Sequence, residues 1–346
     1  MKDNKTGSHG GIKPGYCEGI AWFAVSALLL TFPLYSNKLT FIMNILVYSL
    51  FAMGYNISFG HSGMMAMAQG AFVGLGGYVS AVLLTYWTNS IVVFLIALVA
   101  CLFVAYLLSL MLFSRLKIGA SGQTRSLFLT IVTLGFMQII YYLSISVFSK
   151  WTGGSHGLGK FLREPIRVVG NLALDFTNKT TTFYFIVLVA LISILLMRWF
   201  MLSPCREILN GIRDNELRLA FLGHNVKSRK ILMFVVSCFF CGLAGCLYAL
   251  EYGVLDTTPF TFNFITEAMI ICVIGGRKTF YGPILGSTVY LAAKYFISMY
   301  TDAWLLIIAV IIVFVVLYAP NGLGGCLQQL WRKYQIRKEA GGASNG

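Results

Sequence analysis

Ten apolar runs divide the chain, near residues 19–36, 40–58, 64–86, 90–113, 127–149, 182–200, 231–252, 264–275, 282–299 and 303–319. A bilayer-crossing helix needs about 20 predominantly apolar residues, so most of these runs predict membrane spans. The first run is followed by further apolar runs and by no small-x-small cleavage pattern. It predicts a retained span, not a signal peptide. The 264–275 run is short and ends in Gly275-Gly276, which predicts a half-span or re-entrant element supported by its neighbours. The predicted fold is all-α: a polytopic membrane protein of about ten transmembrane helices, one or more of them broken or re-entrant. A polar tail at 1–18 precedes the transmembrane domain at 19–325, and a second tail occupies 326–346.

Two hydrophilic stretches interrupt the runs. One, at 150–181, contains Trp151-Thr152-Gly153-Gly154-Ser155-His156-Gly157-Leu158. The other, at 201–230, carries a helix-start signal at Ser203-Pro204 and a stop at Gly223. Between those signals Ile208, Ile212, Leu219 and Leu222 recur at roughly helical spacing while Arg206, Arg213, Asp214 and Arg218 take other faces. That pattern predicts one amphipathic helix over 204–222. It suits either a helix lying on the bilayer surface or a docking surface for a soluble partner. Its mixed charge, with Asp214 and Glu216 beside Arg213, favours docking.

Composition supports the membrane reading. Of 346 residues, 58% are hydrophobic and 11% charged, against about 25% charged in soluble domains. This excludes a cytosolic enzyme, a secreted disulfide scaffold and a soluble nucleic-acid binder. The net charge of +14 is topological. With the N-terminus inside, 19 of the 26 basic residues fall in inner segments, so both termini are expected to be cytoplasmic. Contact of those charges with anionic lipid head groups is a by-product.

Candidate chemistry is sparse. Cys238 and Cys241 form a Cys-x-x-Cys pair in a membrane-like run without a second Cys/His pair, which reads as packing, and the four histidines are scattered. Gly154 to Lys160 fits the start of a phosphate-binding loop, but Phe161 stands where Ser or Thr would hold magnesium. The segment also follows a span instead of a strand, so no ATPase is expected in this chain. The glycine-dense stretch 60–78 suits close helix packing or a break lining a pathway, and its density favours the pathway. Gly282 and Gly286 resemble it loosely. Glu251, Glu267 and Lys294 are charges at membrane depth, where each needs a partner or water. Lys294 is expected to neutralise Glu267 or Glu251.

The chain resembles the LivM-type inner-membrane permeases of branched-chain amino acid ABC importers over most of 40–325. Three segments carry the resemblance. They are Asn56-x3-Gly60-x2-Gly63-x8-Phe72-x-Gly74-x-Gly76-x-Tyr78, Thr152-Gly153-Gly154-Ser155-x-Gly157-Leu158, and Ile212-Arg213-Asp214-Asn215-Glu216 with Leu222-Gly223-x-Asn225-Val226. Smaller matches are Gly275-Gly276 with Gly282-Pro283-x2-Gly286, and Pro320-Asn321-Gly322-Leu323-x-Gly325. Ala68-Gln69-Gly70 leans towards the sister LivH-type permeases, and Arg277-Lys278 stands where the family usually has small or apolar residues.

The resemblance implies a permease subunit working by alternating access in a bacterial inner membrane. Its partners would be a LivH-type permease, two cytoplasmic ATPases carrying ATP and magnesium, and an extracytoplasmic binding protein. No cofactor is expected on this chain and no nucleic acid among its partners. Arg213, Asp214, Asn215, Glu216 and Gly223 would couple to the ATPases. Gly60, Gly63, Gln69, Phe72, Gly74, Gly275 and Gly276 are candidates for the pathway. Permeation needs a weak transient site, so specificity would sit largely in the binding protein. A permease for urea, amides or a sugar is the alternative within this class, and an ion-coupled secondary transporter the alternative outside it.

Overall fold

In a computed structural model the described residues are 39–86, 90–115, 122–159, 166–169, 172–174, 176, 178–301, 303–318 and 322–326. The predicted first span at 19–36 and both tails beyond these limits lie outside the described residues. Ten helices organise what is described. They are α1 (Leu39–Asn56), α2 (Ala68–Tyr86), α3 (Ser90–Arg115), α4 (Gly122–Ile145), α5 (Lys179–Leu202), α6 (Cys205–Phe221), α7 (Val226–Tyr252), α8 (Phe262–Gly275), α9 (Gly282–Ser298) and α10 (Trp304–Tyr318). Among the described residues, six helices are long and apolar enough to cross a membrane: α1 with its C-terminal extension, α2, α3, α4, α5 and α7. The chain is an all-α polytopic membrane protein.

The centre of the bundle is α7, which packs against α1, α2 and α3. Small residues draw α2 and α7 together. A Cβ on Gly76 would overlap the Gly242 carbonyl, and one on Gly245 would overlap the Val73 carbonyl. Only glycine permits backbones to approach that closely, and in lipid such contact replaces the hydrophobic drive that water would supply. Cys246 Sγ donates to the Gly76 carbonyl at 3.3 Å in the same seam. The buried core around it includes Phe51, Tyr55, Phe72, Met233 and Phe234.

α8 and α9 form a hairpin against α1. Thr261 caps α8, its hydroxyl accepting from the Phe264 amide. Fourteen residues at 1.5 Å each give α8 a length of about 21 Å, short of the roughly 30 Å hydrocarbon core, as the short apolar run predicts. Gly275, Gly282 and Gly286 allow the hairpin's backbones to touch, and Gly322 closes on Gly276 from the helical turn at 322–326.

At the end of the bundle opposite α6, the 150–181 stretch is not a plain loop. A helical turn at Ser149–Thr152 leads to the strand Leu158–Gly159, which pairs antiparallel with Val254–Leu255 between α7 and α8. Thr152 Oγ1 donates to the Ser144 carbonyl at 2.6 Å. Gly157, with φ of 72°, sits against the Leu255 carbonyl where any side chain would collide. The Thr-Gly-Gly-Ser-x-Gly-Leu signature therefore clips this segment onto the α7–α8 connection.

The run 64–86 is helical only from Ala68: residues 62–67 are non-helical, an irregular break within the glycine-dense stretch 60–78, as its glycine density predicts. One expectation of helix continuity requires correction. The amphipathic stretch 204–222 is not one straight helix. Asn215 adopts φ −162° and ψ 100°, which splits α6 in two, and the helix ends at Phe221.

Candidate functional site

The break between α1 and α2 gathers buried polar groups in the core of the bundle, among them Asn56, Ser58, His61, Ser62 and Gln69. After Asn56 the backbone widens into a π-turn, Ile57–His61, and residues 62–67 run irregularly to α2. A π-turn inside a span leaves carbonyl and amide groups that lipid cannot satisfy, so neighbouring helices must do so. The Met64 amide donates to the Ser58 carbonyl at 3.1 Å, and Ser58 Oγ donates to the Met64 carbonyl at 3.2 Å. From α4, Thr133 Oγ1 accepts from the Met67 amide at 2.9 Å and Thr130 Oγ1 donates to the Met65 carbonyl at 2.7 Å.

Gln69, fully buried at the start of α2, joins the break to α7. Its Nε2 donates to Ser58 Oγ at 3.1 Å and to Ser237 Oγ at 3.4 Å. Ser237 Oγ in turn donates to the Gly54 carbonyl at 2.7 Å. The two serine protons are thereby spoken for, which fixes the amide's orientation and leaves Gln69 Oε1 buried with its acceptor capacity unused. Asn56 Oδ1 is in the same condition on the other side of the π-turn, while Asn56 Nδ2 reaches the Thr279 carbonyl at 3.5 Å.

Gly60 lies where three elements converge. A Cβ there would overlap both the Asn56 side chain and the Arg277 carbonyl of the α8–α9 turn. Arg277 places its guanidinium over the Phe59 ring, 6.0 Å from the centroid. The same turn is tied to the end of α5, where the Arg198 guanidinium donates to the Tyr281 hydroxyl. The third element is α6: Arg213 Nη1 donates to the Gly60 carbonyl at 3.1 Å.

The other candidates fall into separate groups. Gly63 is exposed, has φ of 71° and lies under the Arg213 side chain. Phe72 is fully buried among Phe136 and Phe234, and Gly74 is covered by the Phe260 ring. Gly275 and Gly276 belong to the α8–α9 hairpin packing. The structure brings Gly60, Gly63 and Gln69 to the break and gives the remaining four packing contacts elsewhere.

On α6 the five predicted coupling residues do not share one outward face. Arg213 turns into the bundle with its side chain 26% exposed, whereas Asp214 is 72% exposed. Asn215 breaks the helix and caps its second half, Oδ1 accepting from the Arg218 amide at 3.0 Å. Glu216 is clasped by Lys230 of α7 at 2.6 Å, with little exposure on either side chain. Gly223 ends the segment with φ of 83°. The outward surface includes Asp214, Leu217, Arg218, Phe221 and Leu222. The sequence pattern does not disclose Phe221 and Leu222 as surface groups, because a continuous helical wheel assigns Leu222 to the apolar stripe.

Of the three deep charges, Lys294 pairs with Glu267 at 2.6 Å and lies over the Trp304 ring at 5.0 Å. Glu251 is not its partner: both Glu251 oxygens are buried and make no hydrogen bond among the described residues.

Comparisons relate the chain to known proteins. The family profile described as the permease component of the branched-chain amino acid transport system matches residues 37–317. The high-affinity branched-chain amino acid transport system permease protein LivM of Escherichia coli K12 is 24% identical over 301 residues, covering 80% of this chain and 68% of the relative. The permease protein of the same description from Salmonella typhimurium LT2 is 24% identical over 311 residues, with the same coverage. No solved structure matches the chain.

Proposed function

The chain belongs to the permease family of the branched-chain amino acid transport system and is LivM-type within it; from this premise we propose that it forms half of the translocation pathway of an ATP-driven importer. Its solute would be a branched-chain or related hydrophobic amino acid. Its partners would be a second, LivH-type permease, two ATPases that bind ATP and magnesium, and a substrate-binding protein on the far side of the membrane. The membrane would be a bacterial inner membrane, with α6 and both termini on its cytoplasmic side, as the distribution of basic residues supports.

The observation that carries this reading is the outward surface of α6. Phe221 is 89% exposed and Leu222 70% exposed on a short helix between spans, flanked by Asp214 and Arg218. An apolar tip framed by charges of both signs suits insertion into a soluble partner's groove, because the tip supplies buried area and the charges fix orientation. Closure of two ATPases on ATP would then move α6 relative to the spans and switch access to the central pathway. The chain's own residues hold no nucleotide in this scheme. Phe221→Asp should strip the ATPases from the detergent-purified complex and abolish ATP-dependent uptake in proteoliposomes. Retention of the ATPases by that variant would defeat the assignment of α6.

One observation favours a second reading, ion-coupled secondary transport. Glu251 is a carboxyl at membrane depth without a hydrogen-bonding partner among the described residues, and such groups serve as proton carriers in gradient-driven transporters. Uptake driven by a proton gradient in liposomes holding the permeases without ATPases would establish it.

A further inference from the structure

We infer that Arg213 is the positioning residue through which α6 moves the α1–α2 break, and that α6 is divided at Asn215 so that its two halves act on different helices. The inference rests on the reading of α6 as the ATPase docking element.

The first half of α6 ends at Asp214 and the second begins after Asn215, whose side chain caps it. Each half has its own charged anchor, although the first half also meets α7, where Arg229 Nη1 donates to Cys205 Sγ at 3.7 Å. Glu216 of the second half is held by Lys230 at 2.6 Å, so that half moves with α7. Arg213 of the first half reaches past Gly63 to the Gly60 carbonyl at 3.1 Å. That carbonyl is available because the π-turn displaces its natural donor. The Met64 amide, four residues on, donates to the Ser58 carbonyl instead. A charged donor thus occupies a place that a backbone amide holds in an unbroken helix, and the bond is strong and directional.

Gly60 transmits the contact further. It bears on the Arg277 carbonyl, and Asn56 of the same turn bonds the Thr279 carbonyl. Displacing the first half of α6 while the second half stays with α7 therefore shears the break and the α8–α9 turn against α7. Residues 62–67 can absorb that shear. They are non-helical, Gly63 has a left-handed φ, and single side-chain hydroxyls on α4 hold their backbone at Met65 and Met67. The predicted coupling residue Arg213 accordingly acts inward on the break through Nη1, while its Nε pairs with Asp214 Oδ1 of the outward surface at 3.3 Å.

The test uses the complete importer, with both permeases, both ATPases and binding protein, in proteoliposomes. In Arg213→Ala the subunits should copurify and ATP should still be hydrolysed. Uptake per ATP consumed should fall about tenfold or more, the scale expected for loss of a charge-assisted hydrogen bond. Arg213→Lys, which keeps a cation without the forked reach, should lie between Arg213→Ala and the natural chain. An unchanged ratio in Arg213→Ala overturns the inference. A second measurement needs no variant to assemble. In the natural importer, amide hydrogen exchange over 62–67 should differ between nucleotide-free and vanadate-trapped states, and an identical pattern in both overturns the inference. If Phe221→Asp retains its ATPases, the docking reading itself fails. If Phe221→Asp loses them while Arg213→Ala keeps its ratio, only the role of Arg213 fails.

Discussion

The helices α2 and α4 are both apolar spans of 19 residues over their membrane windows, yet 72% of the α2 window is buried inside the protein and only 22% of the α4 window. α2 carries glycines at 70, 74, 76 and 77 and meets α7 backbone to backbone. α4 presents Leu127, Phe128, Ile131, Ile139 and Tyr142 outward, and a Cβ on its Gly135 would meet nothing within 4 Å. Least hydropathic among the six spans are α1 and α2, which pack on the central α7 and share its deep burial. The most hydropathic is α3, with 28% of its window buried. In water the ranking would be reversed. In lipid, large apolar side chains gain nothing by turning inward, so small and hydroxylated residues define the interior.

The largest effect that would break this contrast is at the glycine seam. Gly76→Leu or Gly245→Val drives a side chain into a facing backbone carbonyl, and neither carbonyl belongs to a flexible group that could give way. Overpacking costs typically 1–3 kcal/mol and more where the backbone must shift, so both variants should lose about 3 kcal/mol or fail to assemble. Gly135→Ala in α4 should be neutral or slightly stabilising, because it improves helix propensity in open space. Thermal unfolding of the detergent-purified permease measures all three. A destabilised Gly135→Ala with a tolerant Gly76→Leu would invert the assignment of core and shell.

A smaller effect is expected at the clasp between α6 and α7. Lys230 is 6% exposed and Glu216 18% exposed, so removing one leaves the other charged and poorly solvated. Lys230→Met should cost about 2 kcal/mol, at the low side of the range for a fully buried pair because Glu216 retains some water. The double variant Lys230→Met with Glu216→Gln should recover part of that loss. A double-mutant cycle in the same unfolding assay gives the coupling energy, and a coupling near zero would detach the second half of α6 from α7.

How far the sequence discloses this arrangement depends on which force shapes each part. Apolar runs mark nine of the described helices within a few residues, since length against bilayer thickness leaves little freedom. The pairing of Lys294 with Glu267 follows from the cost of a bare charge at depth, although which glutamate answers requires the packing. The break at 62–67 is invisible to hydropathy because Met64, Met65, Ala66 and Met67 are as apolar as any helix interior. Only the backbone departs there, and its satisfaction by Thr130 and Thr133 spans separations of 65 and 66 residues that carry no periodic signal. Glu216 is misplaced for a related reason. A helical wheel assumes continuity, and the extended backbone at Asn215 rotates everything after it. The glycines are legible as glycines, but packing and pathway use them identically in a sequence.

Where the shell touches the break, the expected effect is smaller again. Thr133→Val leaves the shape of α4 nearly unchanged and removes the acceptor for the Met67 amide. An unmatched amide at this depth should cost about 1–2 kcal/mol, moderated by whatever partner the flexible segment finds. Faster amide exchange at Met67, with the rest of α2 unaffected, is the specific signature. Slow exchange there would show that the break does not depend on α4.

The smallest effect is at the outward faces, and it sharpens the contrast most usefully. Ile131 is 70% exposed on α4 and Leu195 63% exposed on α5. Where lipid covers such a side chain, truncation to alanine exchanges contact with one apolar medium for another, so stability should change by no more than about 0.5 kcal/mol. Where the second permease covers it, the same truncation opens a void between two proteins. The loss then appears in copurification of the partner while the isolated chain melts unchanged. Alanine substitutions along α3, α4, α5 and α10 therefore divide the shell into lipid-facing and partner-facing sectors. The break at 62–67 is secured to the shell by α4 alone among its hydrogen-bonding partners on α3, α4, α5 and α10 in the described residues. A partner-facing sector centred on α4 would put the two permeases in contact at the helix that holds the break.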